Sequence, residues 1–329
     1  IYNNASTTDN RLKYLALLGD TSVDYKNRWE NNNNIVPTFH SLQSTSNYSS
    51  YMSDDFFGMM DDNEGSMAAS DKLDIAVGRI IADEVGLANA MVDKVINYQK
   101  DASYGSWRNN IITISDDVDK TYEFEDIQRT LNNLSDEIST MKPAFNVKKI
   151  LADSYVQQTS AGGNRYPDVN KAITEAIEVG GLLVNYFGHG GEDGLAHEFI
   201  FTQNDANNLN NTNRYPLFVT VTCEFTKFDY PHRITAGELT YWNKNGGAIG
   251  LITTTRAISV SLGVEYNLVM TPEIFGYHKP TTGVASGTQQ NNTIDSKTPA
   301  EALRKSKNMI GDRLRRVVFY IGDPAMHLA

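Results

Sequence analysis

LLVNYFGHGG, residues 182–191, decides how the rest of the chain is read. Its first six positions are mostly apolar, partly β-branched or aromatic, and they run straight into Gly188-His189-Gly190-Gly191. That is the pattern of a buried strand ending in a glycine turn, with one histidine at its tip. A strand that stops on glycines brings backbone N–H groups close to whatever binds there.

Similar apolar runs recur along the chain and alternate with helical patterns, which predicts an α/β protein built on mainly parallel sheets. The other runs are Lys13–Leu18, Ile75–Arg79, Asn110–Ile114, Leu217–Thr222, Ala248–Thr253 and Val317–Ile321. Val85–Lys100 reads as an amphipathic helix with Val85, Ala88, Val92, Val95 and Ile96 on one face. Glu123–Met141 repeats Ile127, Leu131, Leu134, Ile138 and Met141 at 4-3-4-3 spacing and stops before Pro143. Thr298-Pro299-Ala300-Glu301 is a capping box with proline at the first helical position. Asn31–Met52 and Thr281–Thr298 are polar and read as loops. One long helix ends and a new strand begins near Gly105–Arg108, which divides the chain into subdomains 1–107 and 108–329.

The 329 residues are 40% hydrophobic and 21% charged, an ordinary globular balance. A formal charge of −11 argues against nucleic acid as a partner, because a phosphate-binding surface needs clustered Lys and Arg. No apolar run approaches a membrane span. The opening IYNNASTTDN carries neither a signal peptide nor an initiator Met, the mark of a mature or excised fragment. Cys223 is the only cysteine, which excludes an intrachain disulfide and any multi-cysteine zinc site.

Several motifs fail on inspection. Gly188-x-Gly190 would put the third glycine of a dinucleotide fingerprint on Asp193, and no helix pattern follows. His197-Glu198 lacks the second histidine of a zincin. His40, His232, His278 and His327 sit in unrelated contexts. What remains is a thiol and an imidazole. LFVTVTCEF (217–225) repeats the opening pattern, an apolar run that ends on Cys223. If the two strands are parallel neighbours, His189 and Cys223 meet at one sheet edge although 34 positions separate them. An imidazole beside a thiol can act as its base, and Gly190 N–H can face a developing oxyanion.

A strand ending in His-Gly, then one ending in a small residue and Cys, resembles the caspase-like clan of cysteine peptidases. Within it, VNYFGHGG (184–191), VTVTCEF (219–225), TAGE (235–238), GGAIGLITTT (246–255) and GDPAMHL (322–328) resemble the gingipain family. LLGD (17–20) and IAVGRI (75–80) extend the likeness to nearly the whole chain. GHGGEDGLAHE, CEFTKFD and GGAIGLITTTR are more similar to the signal-peptidase branch of type IX secretion than to gingipains themselves.

The resemblance implies a caspase-like, gingipain-like α/β fold and a cell-surface cysteine endopeptidase. It implies removal of C-terminal signal domains from secreted cargo at the extracellular face of the outer membrane of a Bacteroidota bacterium. A sortase-like transfer of the new C-terminus to a lipopolysaccharide amine would follow. The implied partners are signal domains, the lipopolysaccharide acceptor and outer-membrane secretion-complex proteins. In this reading Cys223 is the nucleophile and His189 the acid/base. Gly190 N–H and Cys223 N–H hold the oxyanion, and Asp117, or its neighbour Asp116, orients the imidazole. The sequence departs from gingipains at the specificity pocket, where Thr253–Leu262 has no aromatic residue and Val260 stands near the place of a tryptophan wall. With Glu224 and Arg256 at the border, that pocket implies a small or polar residue before the cut. The family's calcium points to Ser53-Asp54-Asp55 and Asp61-Asp62-Asn63-Glu64 as candidate ligands, without EF-hand spacing. No other cofactor is required. The alternatives are a gingipain-like endopeptidase acting by hydrolysis alone and a non-catalytic module that binds signal domains.

Overall fold

Each of the seven apolar runs forms a strand, and an eighth strand joins them. A computed structural model describes residues 11–277 and 296–328. His278, the opening decapeptide and the polar run up to Asp295 lie outside the described residues. The strands are β1 (Tyr14–Leu18), β2 (Ala76–Ile80), β3 (Asn110–Ser115), β4 (Asn146–Leu151), β5 (Leu183–Phe187), β6 (Leu217–Thr220), β7 (Gly250–Thr254) and β8 (Val318–Ile321). They make one sheet in the order β1-β2-β8-β7-β6-β5-β3-β4. All neighbours are parallel except β7 and β8. The sheet therefore consists of two parallel halves running in opposite directions, joined at β8 from the far end of the sequence. Strands from both sides of the Gly105–Arg108 division share this sheet.

Helices cover both faces, as parallel strands require. Val184 and Tyr186 of β5 pack with Phe218 and with Val169, Ile173 and Ile177 of α3 (Pro167–Val179) in one core. Leu183 and Phe187 face the other way, among Ile127, Leu131, Leu134 and Ile138. The last four lie on a helical run that opens with Thr121–Glu123, passes through a π-helical stretch Phe124–Arg129 and continues as α2 (Thr130–Met141). The predicted 4-3-4-3 stripe is thus the buried one, with Met141 at its half-buried end.

In α1 (Val85–Tyr98) the predicted face is corrected. Val85, Val92 and Ile96 are exposed, and the helix buries Leu87, Met91, Lys94 and Tyr98 instead. A lysine sits on the apolar stripe because its ammonium has carbonyl partners, Tyr241 O at 2.7 Å, Gly246 O at 3.0 Å and Ala248 O at 3.3 Å. Burial pulls its pKa down to about 7. At the C-terminal end, Thr298 caps α7 (Pro299–Met309) by accepting Glu301 N–H, as the capping signature predicts. No helix among the described residues is long and apolar enough to cross a membrane.

Candidate active site

Register brings the two reactive strand ends together. Tyr186 of β5 pairs with Thr220 of β6, so Gly188-His189 and Thr222-Cys223 leave the sheet at the same level. Thr222 Oγ1 donates to Gly188 O at 2.6 Å and ties the two ends. Gly190 then presses on Thr222 so closely that a Cβ there would lie 2.8 Å from Thr222 Cγ2. Only glycine fits that approach. Gly190 pairs with Leu195 in a small antiparallel hairpin, and the neighbouring rung carries Ala196 N–H to His189 O at 2.9 Å. Rungs alternate, so the N–H of Gly190 points away from the hairpin.

Cys223 is partly buried, and its Sγ lies 3.7 Å from Ile258 O as its hydrogen-bond partner. Burial, with help from the Glu224 carboxylate, holds the thiol above its ordinary pKa. Thiol and imidazole share no hydrogen bond among the described residues. Glu224 follows at φ 50°, a left-handed conformation that a non-glycine residue adopts at some cost. That turn breaks β6 sharply and presents Cys223 at its tip. Thr254 Oγ1 donates to Thr222 O, and Glu224 N–H to Arg256 O at 3.4 Å, which pins the turn to β7.

The side chain that reaches the imidazole is Glu123. Its Oε1 lies 3.1 Å from His189 Nε2, with the carboxylate side chain only 1% exposed. Glu123 occupies the third position of its helix, and its backbone N–H donates to Lys120 O at 2.9 Å. Its other oxygen, Oε2, accepts Asp119 N–H at 2.9 Å and Lys120 N–H at 2.8 Å. Burial alone would raise this carboxyl, but the bonds from His189 and the two backbone N–H groups hold it below its ordinary value. Asp116 works from the other side, accepting His189 backbone N–H on Oδ2 at 2.7 Å, and the Tyr186 hydroxyl donates to His189 O. His197 stacks on the ring, centroids 5.2 Å apart.

Of the residues chosen from sequence, His189, Gly190, Cys223 and Glu224 converge on this edge. Asp117 does not bond to the imidazole. Its Oδ2 accepts the Tyr166 hydroxyl at 3.1 Å and Gln157 Nε2 at 3.4 Å. Arg256 is spent internally, with Nη1 2.9 Å from Asp229 Oδ1, Nη2 on Oδ2 of the same carboxylate and Nε on Ser50 O. Val260, half-buried, begins α6 (Val260–Phe275) two residues after Ile258. Lys227 bridges Glu224 and Glu192 at 3.1 and 2.9 Å and links the cysteine and histidine loops along the rim. The acidic run at Ser53 is accounted for by ion pairs. Asp54 meets Arg79 at 2.7 Å, and Asp55 meets Lys307 at 2.6 Å and Arg316 at 3.2 Å, all buried. Asp61 and Glu64 do lie together with Asp74, exposed to half-buried, in a loop that already supplies N–H donors to Glu64 and Asp74. An apolar cavity of about 490 Å³, lined by Met141, Phe145, Leu183, Ile274, Phe275 and Pro299, opens at the N-terminal end of β5, the sheet edge opposite Cys223.

Glu123 and His197 were missed in the sequence. Glu123 was visible only as the first residue of a helix, and nothing in its spacing ties it to a histidine 66 positions on.

A histidine and a cysteine on adjacent strand ends, over a carboxylate and beneath a glycine turn, define a cysteine-peptidase type of site on a caspase-like sheet. The family model for Peptidase family C25 matches residues 1–329, and the chain belongs to that family of gingipain-like cysteine peptidases. Among solved structures, its fold is similar to the Arg-specific cysteine proteinase gingipain R (RgpB), with TM-score 0.68 and 17% identity over 99% of this chain and 66% of that one. It is likewise similar to the Porphyromonas gingivalis complex of RgpB pro- and mature domains, with TM-score 0.65 and 16% identity over 98% of this chain and 67% of that one. The chain therefore spans about two thirds of the gingipain R chain it matches. No curated protein sequence matches it.

Proposed function

We propose that this chain is a catalytic cysteine peptidase domain in which Cys223 attacks the scissile carbonyl and His189 manages the proton. The observation that carries this reading is the level pairing of Gly188-His189 with Thr222-Cys223, together with a buried carboxylate already aligned on Nε2. Nδ1, free of protein partners among the described residues, is the nitrogen left to exchange a proton with thiol and substrate. Sγ bonds to the carbonyl carbon as His189 takes the thiol proton, and the N–H groups of Gly190 and Cys223 receive the oxyanion. Collapse breaks the C–N bond, the amine leaves with the proton from His189, and a thioester remains. Water or a second amine then releases it. Glu123, rather than Asp117, orients the imidazole and faces its developing positive charge.

On substrate, the likeness of GHGGEDGLAHE and CEFTKFD to PorU supports the C-terminal signal peptidase of type IX secretion. The chain would act at the cell surface on signal domains and pass the new C-terminus to a lipopolysaccharide amine. Gingipain R is named for Arg specificity. Here no aromatic residue stands in Thr253–Leu262 and Arg256 is tied to Asp229, which supports a small or polar residue before the cut. The test uses a thiol-directed peptide electrophile and a cargo protein with an intact signal domain. Covalent labelling of Cys223 that is lost in His189→Ala supports the enzyme, and absence of His189-dependent labelling defeats it in favour of a binding module. Mass spectrometry with an added amine nucleophile then separates an amide product from hydrolysis alone, and a peptide panel cut best after Arg or Lys would overturn the pocket reading.

A further inference from the structure

His197-Glu198, the pair that fails as a zincin motif, lies against the site without a part in the proposed reaction. The His197 ring stacks on the His189 ring with 29° between their planes and centroids 5.2 Å apart, the spacing of an offset aromatic pair. Bringing it there takes strained backbone. Ala196 stands opposite His189 in the hairpin and gives its N–H to His189 O at 2.9 Å. A strand that simply continued would turn the next side chain to the other face. Instead Ala196 at φ 63° and Phe199 at φ 55° are both left-handed, and neither is glycine. Such backbone persists only where its surroundings fix it. Here Ile200 N–H reaches Leu195 O at 3.0 Å across the turn. Beneath it Glu198 is buried, hydrogen-bonded with Asp117 and with its own N–H. Glu198 thus points in as the anchor, and His197 is left exposed at the tip.

The His189 ring is otherwise held at two points, its own Cβ–Cγ bond and the contact of Nε2 with Glu123 Oε1 at 3.1 Å. Cγ and Nε2 lie across the five-membered ring from one another. Those two holds therefore leave one freedom, a twist of the ring about the line that joins them. Nδ1 lies off that line, so the twist swings it to one side or the other. The side chain is 28% exposed, and solvent leaves room for the motion. A flat ring laid on one face stops it on that side. We propose that His197 is a positioning residue, whose ring limits the twist of His189 and keeps Nδ1 in the orientation from which it exchanges a proton with thiol and substrate. The inference rests on the peptidase reading above. It requires the flat face of His197 and no proton transfer by that residue.

Saturation kinetics of Cys223 labelling by a peptide electrophile test this in wild type, His197→Ala, His197→Leu and His197→Phe. Loss of one aromatic pair should slow the limiting rate of His197→Ala ~2–13-fold, with the half-saturating concentration unchanged. His197→Leu, bulky but not flat, should be as slow. His197→Phe, flat but without a ring nitrogen, should return to the wild-type rate. All four should melt alike, because residue 197 is exposed. In protein labelled at its histidine rings, the NMR resonances of His189 should shift in His197→Ala, a readout independent of activity. An unshifted His189 ring would mean that the two rings do not stack, and the proposal fails. A raised half-saturating concentration at an unchanged limiting rate would make His197 a substrate contact instead. His197→Phe as slow as His197→Ala would make the nitrogen, not the face, the working part, and either result overturns the proposal. A wild type that shows the resonance shift but no His189-dependent labelling would defeat the peptidase reading itself, and this inference with it.

Discussion

Glu123→Gln tests the proposed mechanism at its most exposed point. The carboxylate sits 3.1 Å from Nε2, while its other oxygen is held by two backbone N–H groups. Glutamine keeps the shape, and its amide oxygen can keep those two N–H bonds. Its NH₂ then faces Nε2, which puts a donor where the ring needs an acceptor and removes the charge opposite the forming imidazolium. Hydrogen bonds to charged groups contribute ~1.5–3 kcal/mol. At 1.36 kcal/mol per tenfold, the acylation rate should fall ~10–160-fold. The assay is the second-order rate of Cys223 labelling by a peptide electrophile, with kcat/KM on a cleavable peptide beside it. Asp117→Asn serves as the control, since Asp117 does not bond to the ring. A Glu123→Gln rate within twofold of wild type, or an equal loss in Asp117→Asn, would refute the assignment.

Gly190→Ala puts a methyl 2.8 Å from Thr222 Cγ2 and must displace the oxyanion donor; kcat should fall up to ~100–1000-fold with KM little changed, read from steady-state kinetics. Asp54→Asn strands the fully buried Arg79 guanidinium and should cost about 3–5 kcal/mol in urea unfolding, with no response to calcium. Glu238 is buried and its pKa is pushed from 4.5 up to about 8. Between those values the folded chain keeps a proton that the unfolded chain has lost. This one group therefore lowers stability by about 1.4 kcal/mol per pH unit as pH rises through the window, and Glu238→Gln should flatten that slope in melts from pH 5 to 8.

Six strands were legible because central strands are apolar on both faces and need no alternation to be seen, and the edge strand β1, half-buried to exposed, was legible from its unbroken apolar run alone. The eighth was not: in Asn146–Leu151 only Ile150 is fully buried, and Lys148 and Lys149 dress an edge that faces solvent on one side. The face of α1 was misread because apolar count favoured Val92 and Ile96 over a stripe containing Lys94. A lysine reads as surface until the carbonyls at the end of α5 (Ala236–Trp242) and beyond it are seen around its ammonium. His189 and Cys223 were legible for the opposite reason. Strand-end residues inherit their neighbours from sheet order, which repetition of the pattern suggests. Glu123 reaches the site through a helix cap, a local device whose sequence signature says nothing about what the free oxygen will face.

The resting thiol gives the mechanism its last test. Cys223 Sγ rests against Ile258 O, and burial holds the thiol above its ordinary value of 9.0. The backbone on either side is fixed, by the left-handed Glu224 turn and by the Thr254–Thr222 bond. On the proposed mechanism, the thiol gives up this weak S–H bond when its proton passes to His189, and a bound peptide substrate promotes that transfer. A small alkylating agent, which offers no peptide contacts, should react with Cys223 at a rate that climbs with pH through 8 and 9 without a neutral plateau. A peptide electrophile filling the cleft should label it rapidly at pH 7 in a His189-dependent way. A plateau for the small reagent below pH 7 would mean a thiolate–imidazolium pair already exists at rest, and this account of the thiol would be wrong.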